Sequence, residues 1–266
     1  MTAARIRAMV AKELLDVRRN LPALLPVVLV TGLTLAMAFG IAFVLPLVTG
    51  HRLGEDMELV NLSAVTGPHD ELSSDGRIQL FLFQQFLTLF LVIPITGAMA
   101  LAAHAVVGEK QARTLEPLLA TPITTFELLV AKVLGALLPT LAISLAGAIV
   151  YFGGVALFGE PGVLGAMASA RTAVLLFVVG PAASLVALQS AIVISSRVND
   201  ARTAQQFGVM IIIPLSALLV AQFTGTLWLS AATLAASGLA LFGVWILLTL
   251  VSVALFERES ILTRWR

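Results

Sequence analysis

The sequence predicts an all-α integral membrane protein with six transmembrane helices, and two observations carry that prediction. Of its 266 residues 59% are hydrophobic and only 12% charged, with a mean hydropathy of +1.02. A soluble domain of this size is nearer half apolar and about a quarter charged. Six apolar runs stand out, at about 21–48, 78–107, 128–153, 171–194, 207–223 and 229–256. Each reaches or approaches the roughly 20 residues a helix needs to cross about 30 Å of hydrocarbon. In lipid the backbone has to satisfy its own hydrogen bonds, and runs of this length do so as helices rather than barrel strands.

The basic residues set the orientation. Six spans place both termini on one side, which then holds thirteen Lys and Arg residues against three (Arg52, Arg77 and Arg171) on the other. That asymmetry makes the termini cytoplasmic, while the acidic residues, eight inside and seven outside, carry little topological weight. The expected organisation is an interfacial helix at 1–20, a transmembrane domain at 21–256 and a cytoplasmic tail at 257–266.

In residues 3–20, Ile6, Val10, Leu14, Val17 and Leu21 recur at three- and four-residue spacing, with Lys12 and Arg19 opposite. Such a basic amphipathic helix lies in the headgroup plane. The first run follows five basic residues like a signal peptide, but it is too long for a signal core and five more spans follow, so it is read as a retained anchor. The acidic 49–77 segment reads as a solvated external loop, its carboxylates lacking the spacing of an EF-hand. Pro94, Pro139 and Pro181 fall in the second, third and fourth spans and predict bends. Between the third and fourth spans, Gly153-Gly154 and Gly159-Glu160-Pro161-Gly162 predict breaks around a short interfacial helix. The last two runs exceed two straight spans, so a short re-entrant or external helix is expected at about 225–236, ending near Ser237-Gly238.

The most informative stretch is the bridge from Gly108 to Lys132, with six charges and two prolines between the second and third spans. Glu109 and Arg113 have the favourable spacing for a helical ion pair. Pro117 and Pro122 bracket the apolar Leu118-Leu119-Ala120. Thr124 and Glu127 fit a capping box, which starts the next helix sharply and makes it a rigid lever joined to the third span.

Several kinds of chemistry are disfavoured. The absence of Cys removes disulfides, thiolate metal sites and a Cys nucleophile. The three His residues are scattered, with His104 read as interfacial, and the span interiors hold no acid, so neither an intramembrane protease nor a metal site is expected. No phosphate-binding GxxxxGK[ST] sequence occurs, so the chain carries no ATP site of that kind. No catalytic residue and no bound cofactor are expected. Within the spans the polar groups are amides and hydroxyls: Gln84, Gln85, Thr88, Gln189, Ser190, Ser216 and Gln222. These either bond between helices or, for Gln84, Gln85, Thr88, Ser216 and Gln222, line a polar route for a substrate.

At the bridge the chain resembles the membrane subunits of ABC exporters, specifically the ABC type-2 permease family. The family's bridge reads E-x-x-x-G-T-L-E-x-L-L-x-T-P-x-(S/T)-x-x-E-(I/L)-L-x-x-K. Glu109, Thr114-Leu115-Glu116, Leu118-Leu119, Thr121-Pro122, Glu127-Leu128-Leu129 and Lys132 match it, while Arg113 stands where glycine is usual. The opening Ala11-Lys12-Glu13-Leu14 and the closing Phe256-to-Leu262 segment are also similar to the family. The resemblance implies a compact six-span permease in the cytoplasmic (inner) membrane of a bacterium or archaeon. It would pair with a second permease subunit, identical or homologous, and with two cytoplasmic ATP-binding subunits that carry ATP and Mg. It also implies that Glu109, Leu115, Glu116, Leu118, Leu119, Thr121 and Pro122 contact or position the ATPase through a coupling helix. No nucleic-acid partner is expected. A stand-alone carrier or channel and a non-transporting membrane scaffold are the competing readings.

Overall fold

The computed structural model describes residues 2–19, 21–111, 124–197, 213, 217, 218, 220–222, 224 and 226–255. Among these, every regular element is helical. In chain order the principal helices are α1 (Thr2–Arg19), α2 (Leu25–Thr49), α3 (Met57–Ser63), α4 (Ser74–Leu89), α5 (Val92–Gln111), α6 (Thr125–Phe158) and α7 (Val163–Met167). α8 runs as Ala170–Val174, Leu175–Val179 and Gly180–Arg197, and α9 is Ala231–Leu255.

Among the described residues five helices are long and apolar enough to cross a membrane, over Leu25–Thr49, Ser74–Glu109, Phe126–Phe158, Ala170–Ser195 and Ala231–Ala254. They coincide with the first, second, third, fourth and sixth expected runs. The expected fifth run, 207–223, lies largely outside the described residues, as do Arg113, the Leu115–Pro122 stretch, Ser216 and the 257–266 tail. Burial is uneven: 83% of the apolar window of Ser74–Glu109 is enclosed, against 11% for Ala231–Ala254. The α4–α5 span is therefore the central post, and the other spans turn apolar faces outward.

The centre is aromatic. Tyr151 of α6 is fully buried, and its ring centroid lies within 5.9 Å of those of Phe39, Phe83 and Phe90. Its hydroxyl donates to the Phe83 carbonyl oxygen at 2.6 Å, so the one polar atom of the ring is satisfied in an apolar surrounding.

Proline shapes the helices as its missing N–H requires. In α8 the turn Leu175–Val179 widens, and Gly180 N–H bonds Leu175 O five residues back, just before Pro181. Gly40–Val44 widens the same way in α2, with Leu45 N–H bonding Gly40 O just before Pro46. A five-residue hydrogen bond skips the turn that the proline cannot close. Pro94 sits in the first turn of α5, just after the break at Phe90–Leu91, and Pro139 lies inside α6.

Three expectations need correction. Gly153 and Gly154 do not break the third span; α6 continues to Phe158. A Cβ at Gly154 would collide with the Phe39 ring, so this glycine allows α2 and α6 to approach closely. The chain turns only at 159–162, where Gly162 adopts φ 91°, and then forms the short α7. Among the described residues of 225–236 there is no separate helix: residues 227–230 are non-helical and α9 starts at Ala231, where the Ser230 hydroxyl accepts from Thr233 N–H. Ser237 and Gly238 lie inside that helix. The 49–77 segment, expected as a solvated external loop, is ordered. Asp56 caps α3, Asp75 accepts from Gly54 N–H at 2.6 Å, and Leu53 packs with Ile78, Phe81 and Leu82.

Candidate functional site

The base of the bridge is built by three elements. α1 packs along the start of α6, where Met9 meets Leu128 and Ala131. Its inward stripe is turned from the expected one: Met9 and Glu13 are buried, Ile6, Val10 and Val17 are half-buried, and Leu14 is exposed. The reason is a close approach at Gly135, where a Cβ would overlap the Cβ of Glu13. That contact carries an acid into an apolar setting, which is tolerated only with a partner.

The partner is Lys132, whose side chain is 1% exposed. Its Nζ lies 2.7 Å from Glu109 Oε2 and 3.5 Å from Glu13 Oε1, and it donates to the Ala105 carbonyl at 3.0 Å. Lys12 closes the group from α1, 2.7 Å from Glu109 Oε1, 3.2 Å from Glu13 and 3.2 Å from Asp16. One carboxylate at the end of α5 is thus held by a lysine from α1 and another from α6. Burial opposes the charged form of Lys12, but the hydrogen bond and charge of Glu109, then those of Glu13, outweigh it and hold the ammonium above its ordinary range. The two buried acids match the two lysines in charge, which is the condition for keeping ions out of water.

The capping box forms as the sequence predicts. Thr124 Oγ1 accepts from Glu127 N–H at 3.2 Å, and Glu127 Oε2 accepts from Thr124 N–H at 2.9 Å. Glu127 is itself buried. The described residues that flank 112–123 are therefore held in place, Glu109 before it by the two lysines and Thr124 after it by this cap. Of the residues singled out for ATPase contact, Glu109 is in this cluster; Leu115, Glu116, Leu118, Leu119, Thr121 and Pro122 lie outside the described residues. Lys12, Glu13 and Lys132 stand in the opening and bridge motifs, but nothing in the sequence shows that they meet.

A second polar group lies at the opposite end of the bundle, around the start of α8. Gln84, Gln85, Thr88 and Gln222 are all buried. Gln85 Nε2 donates to the Gln222 carbonyl at 2.7 Å, while Thr88 Oγ1 bonds back to Gln84 O within its own helix. Gln84 Oε1 accepts from Arg171 Nη1 at 3.3 Å. Arg171, counted from sequence among the three basic residues of the external side, is buried. Its Nε donates to the Leu229 carbonyl at 3.0 Å, and its guanidinium carbon lies 4.2 Å from the Trp228 ring centroid. His104 is exposed, and Gln189 donates to Ser252 Oγ at 2.6 Å between α8 and α9.

The model of the ABC-2 family transporter protein matches residues 7–257. The chain belongs to this family. A search of curated proteins finds no match. This ABC-2 protein is a multi-pass membrane protein and a permease component of a transporter, and the match runs from α1 through α9.

Proposed function

We propose that this ABC-2 permease is the membrane-spanning half of an ATP-driven exporter, driven by two separate cytoplasmic ATP-binding subunits and paired with a second permease subunit. The observation that carries the reading is the buried Lys12–Glu109–Lys132 group at the base of the bridge. A force applied to 112–123 reaches α1, the central α4–α5 span and α6 together, because one carboxylate joins them. Glu109 then positions the docking segment, and Leu115, Glu116, Leu118, Leu119, Thr121 and Pro122 contact the ATPase. ATP and Mg reside on that subunit. α1 lies at the cytoplasmic headgroups, and the membrane is the bacterial or archaeal cytoplasmic membrane.

A sixth crossing is part of the proposal. α8 extends about 40 Å from Arg171 to Arg197 at ~1.5 Å per residue. Leu229 nevertheless lies beside Arg171, which supports assigning the sixth crossing to the expected run at 207–223. Gln84, Gln85, Thr88, Ser216 and Gln222 then flank the substrate route between the second and fifth spans.

The test is Leu118→Asp with Leu119→Asp, followed by purification of the complex and assay of its ATP hydrolysis. The reading expects the ATPase to be lost from the complex or its hydrolysis to become independent of the permease. Unchanged assembly and unchanged transport would remove the docking role. Substrate flux through the chain alone in liposomes, with no ATPase present, would make it a carrier or channel instead.

A further inference from the structure

Among the described residues Arg171 is a buried cation held only by neutral groups. Its neighbours are the Leu229 carbonyl, the Gln84 amide oxygen and the face of Trp228, and Nη2 has no hydrogen-bond partner. Among the described residues it makes no ion pair. The contrast with the other end of the bundle is direct, since Lys132 is equally enclosed but lies against two carboxylates. A guanidinium stays protonated in any protein setting, so burial cannot neutralise it. Keeping such a charge out of water without an anion is costly, and an unused N–H at its tip adds to the cost.

Two further features favour a ligand over a purely structural role. The guanidinium is already oriented: Nε and Nη1 are tied down and the plane rests on Trp228, which leaves Nη2 as the free donor. An arginine fixed in this way needs no reordering to grip an oxyanion. Two of its three neighbours, Trp228 and Leu229, belong to the non-helical stretch 227–230, and the third, Gln84, to α4. Unused amide atoms stand in the same layer, Oε1 of Gln85 next along α4 and both side-chain polar atoms of Gln222.

We propose that Arg171 is the recognition point for an oxyanion, a phosphate or carboxylate group, which binds at the end of the bundle remote from α1 beside Trp228. The group belongs either to a lipid headgroup or to a soluble anion.

Trp228 supplies the reporter. The full chain, with Trp245→Phe and Trp265→Phe so that Trp228 alone emits, is placed in phosphatidylcholine nanodiscs without any ATPase. In one arm inorganic phosphate or succinate is titrated; in the other, phosphatidylglycerol replaces phosphatidylcholine stepwise. A saturable change in Trp228 emission is expected in one arm, and that arm identifies the source. Arg171→Gln should weaken binding roughly 10- to 100-fold, the range for a charged hydrogen bond. No saturable change in either arm, or an equal response from Arg171→Gln, overturns the proposal. Should Arg171→Gln fail to fold, Arg171→Lys replaces it. That variant keeps the charge but lacks the planar fork, so it must bind more weakly, and wild-type affinity there also overturns the assignment. No ATPase or transport step enters the measurement, so its outcome is independent of the exporter reading.

Discussion

Replacing Glu109 with Gln removes the charge that joins α1, α5 and α6 while keeping the side chain's size. The pair it forms with Lys132 is fully enclosed, with side-chain exposures of 9% and 1%. Breaking one partner of such a pair costs about 3–5 kcal/mol, because the other charge stays buried. Lys132 keeps the Ala105 carbonyl at 3.0 Å and Glu13 at 3.5 Å, which offsets part of that loss. The link to Lys12, whose side chain is 45% exposed, adds only about 0–1 kcal/mol. Glu109→Gln should therefore destabilise the chain by about 3 kcal/mol. Unfolding in mixed detergent micelles, followed by tryptophan fluorescence, measures this, and a cycle with Lys132→Met isolates the pair. The two changes should couple by roughly 2 kcal/mol, the double variant losing little more than either single one. Effects that simply add, to within about 0.5 kcal/mol, would refute the claim that Glu109 and Lys132 act as one unit.

Gly135→Ala places a methyl group against Glu13. It should cost about 1–3 kcal/mol in the same unfolding assay and loosen α1, seen as faster proteolysis of the N-terminal segment. Thr124→Ala removes one half of the capping box; a loss of about 1 kcal/mol is expected, with raised amide exchange confined to the first turn of α6. Tyr151→Phe deletes the hydroxyl that bonds Phe83 O but leaves the ring packing intact, so the loss should be about 1 kcal/mol, and a loss above about 3 would show that the hydroxyl does more than bond that carbonyl.

Most spans were legible in the sequence because hydrophobic length is read locally, and the capping box was legible because both its partners lie within four residues. Gly153-Gly154 misled for a definite reason: in water paired glycines mark turns, whereas between membrane helices a glycine permits close contact, here of Gly154 with Phe39. Arg171 was hidden by distance along the chain, since its partners Gln84 and Leu229 are 87 and 58 residues away. At the edge of an apolar run it reads as a surface charge, and only the fold shows that it is covered. The lysines and acids at the base of the bridge were visible as motif letters, but their meeting depends on α1 lying on α6. The stripe on α1 was misread for the same reason: its buried face is set by Gly135 across the contact, not by its own periodicity.

In the proposed exporter the bridge transmits the work of an ATPase. A photo-cross-linking residue placed at Thr121 tests it most directly, in the complex purified from native membranes and in its Glu109→Gln variant. The account predicts a cross-link to a cytoplasmic ATP-binding subunit, with hydrolysis uncoupled from the permease in the variant. An active transporter in which Thr121 cross-links to no ATP-binding protein would contradict it.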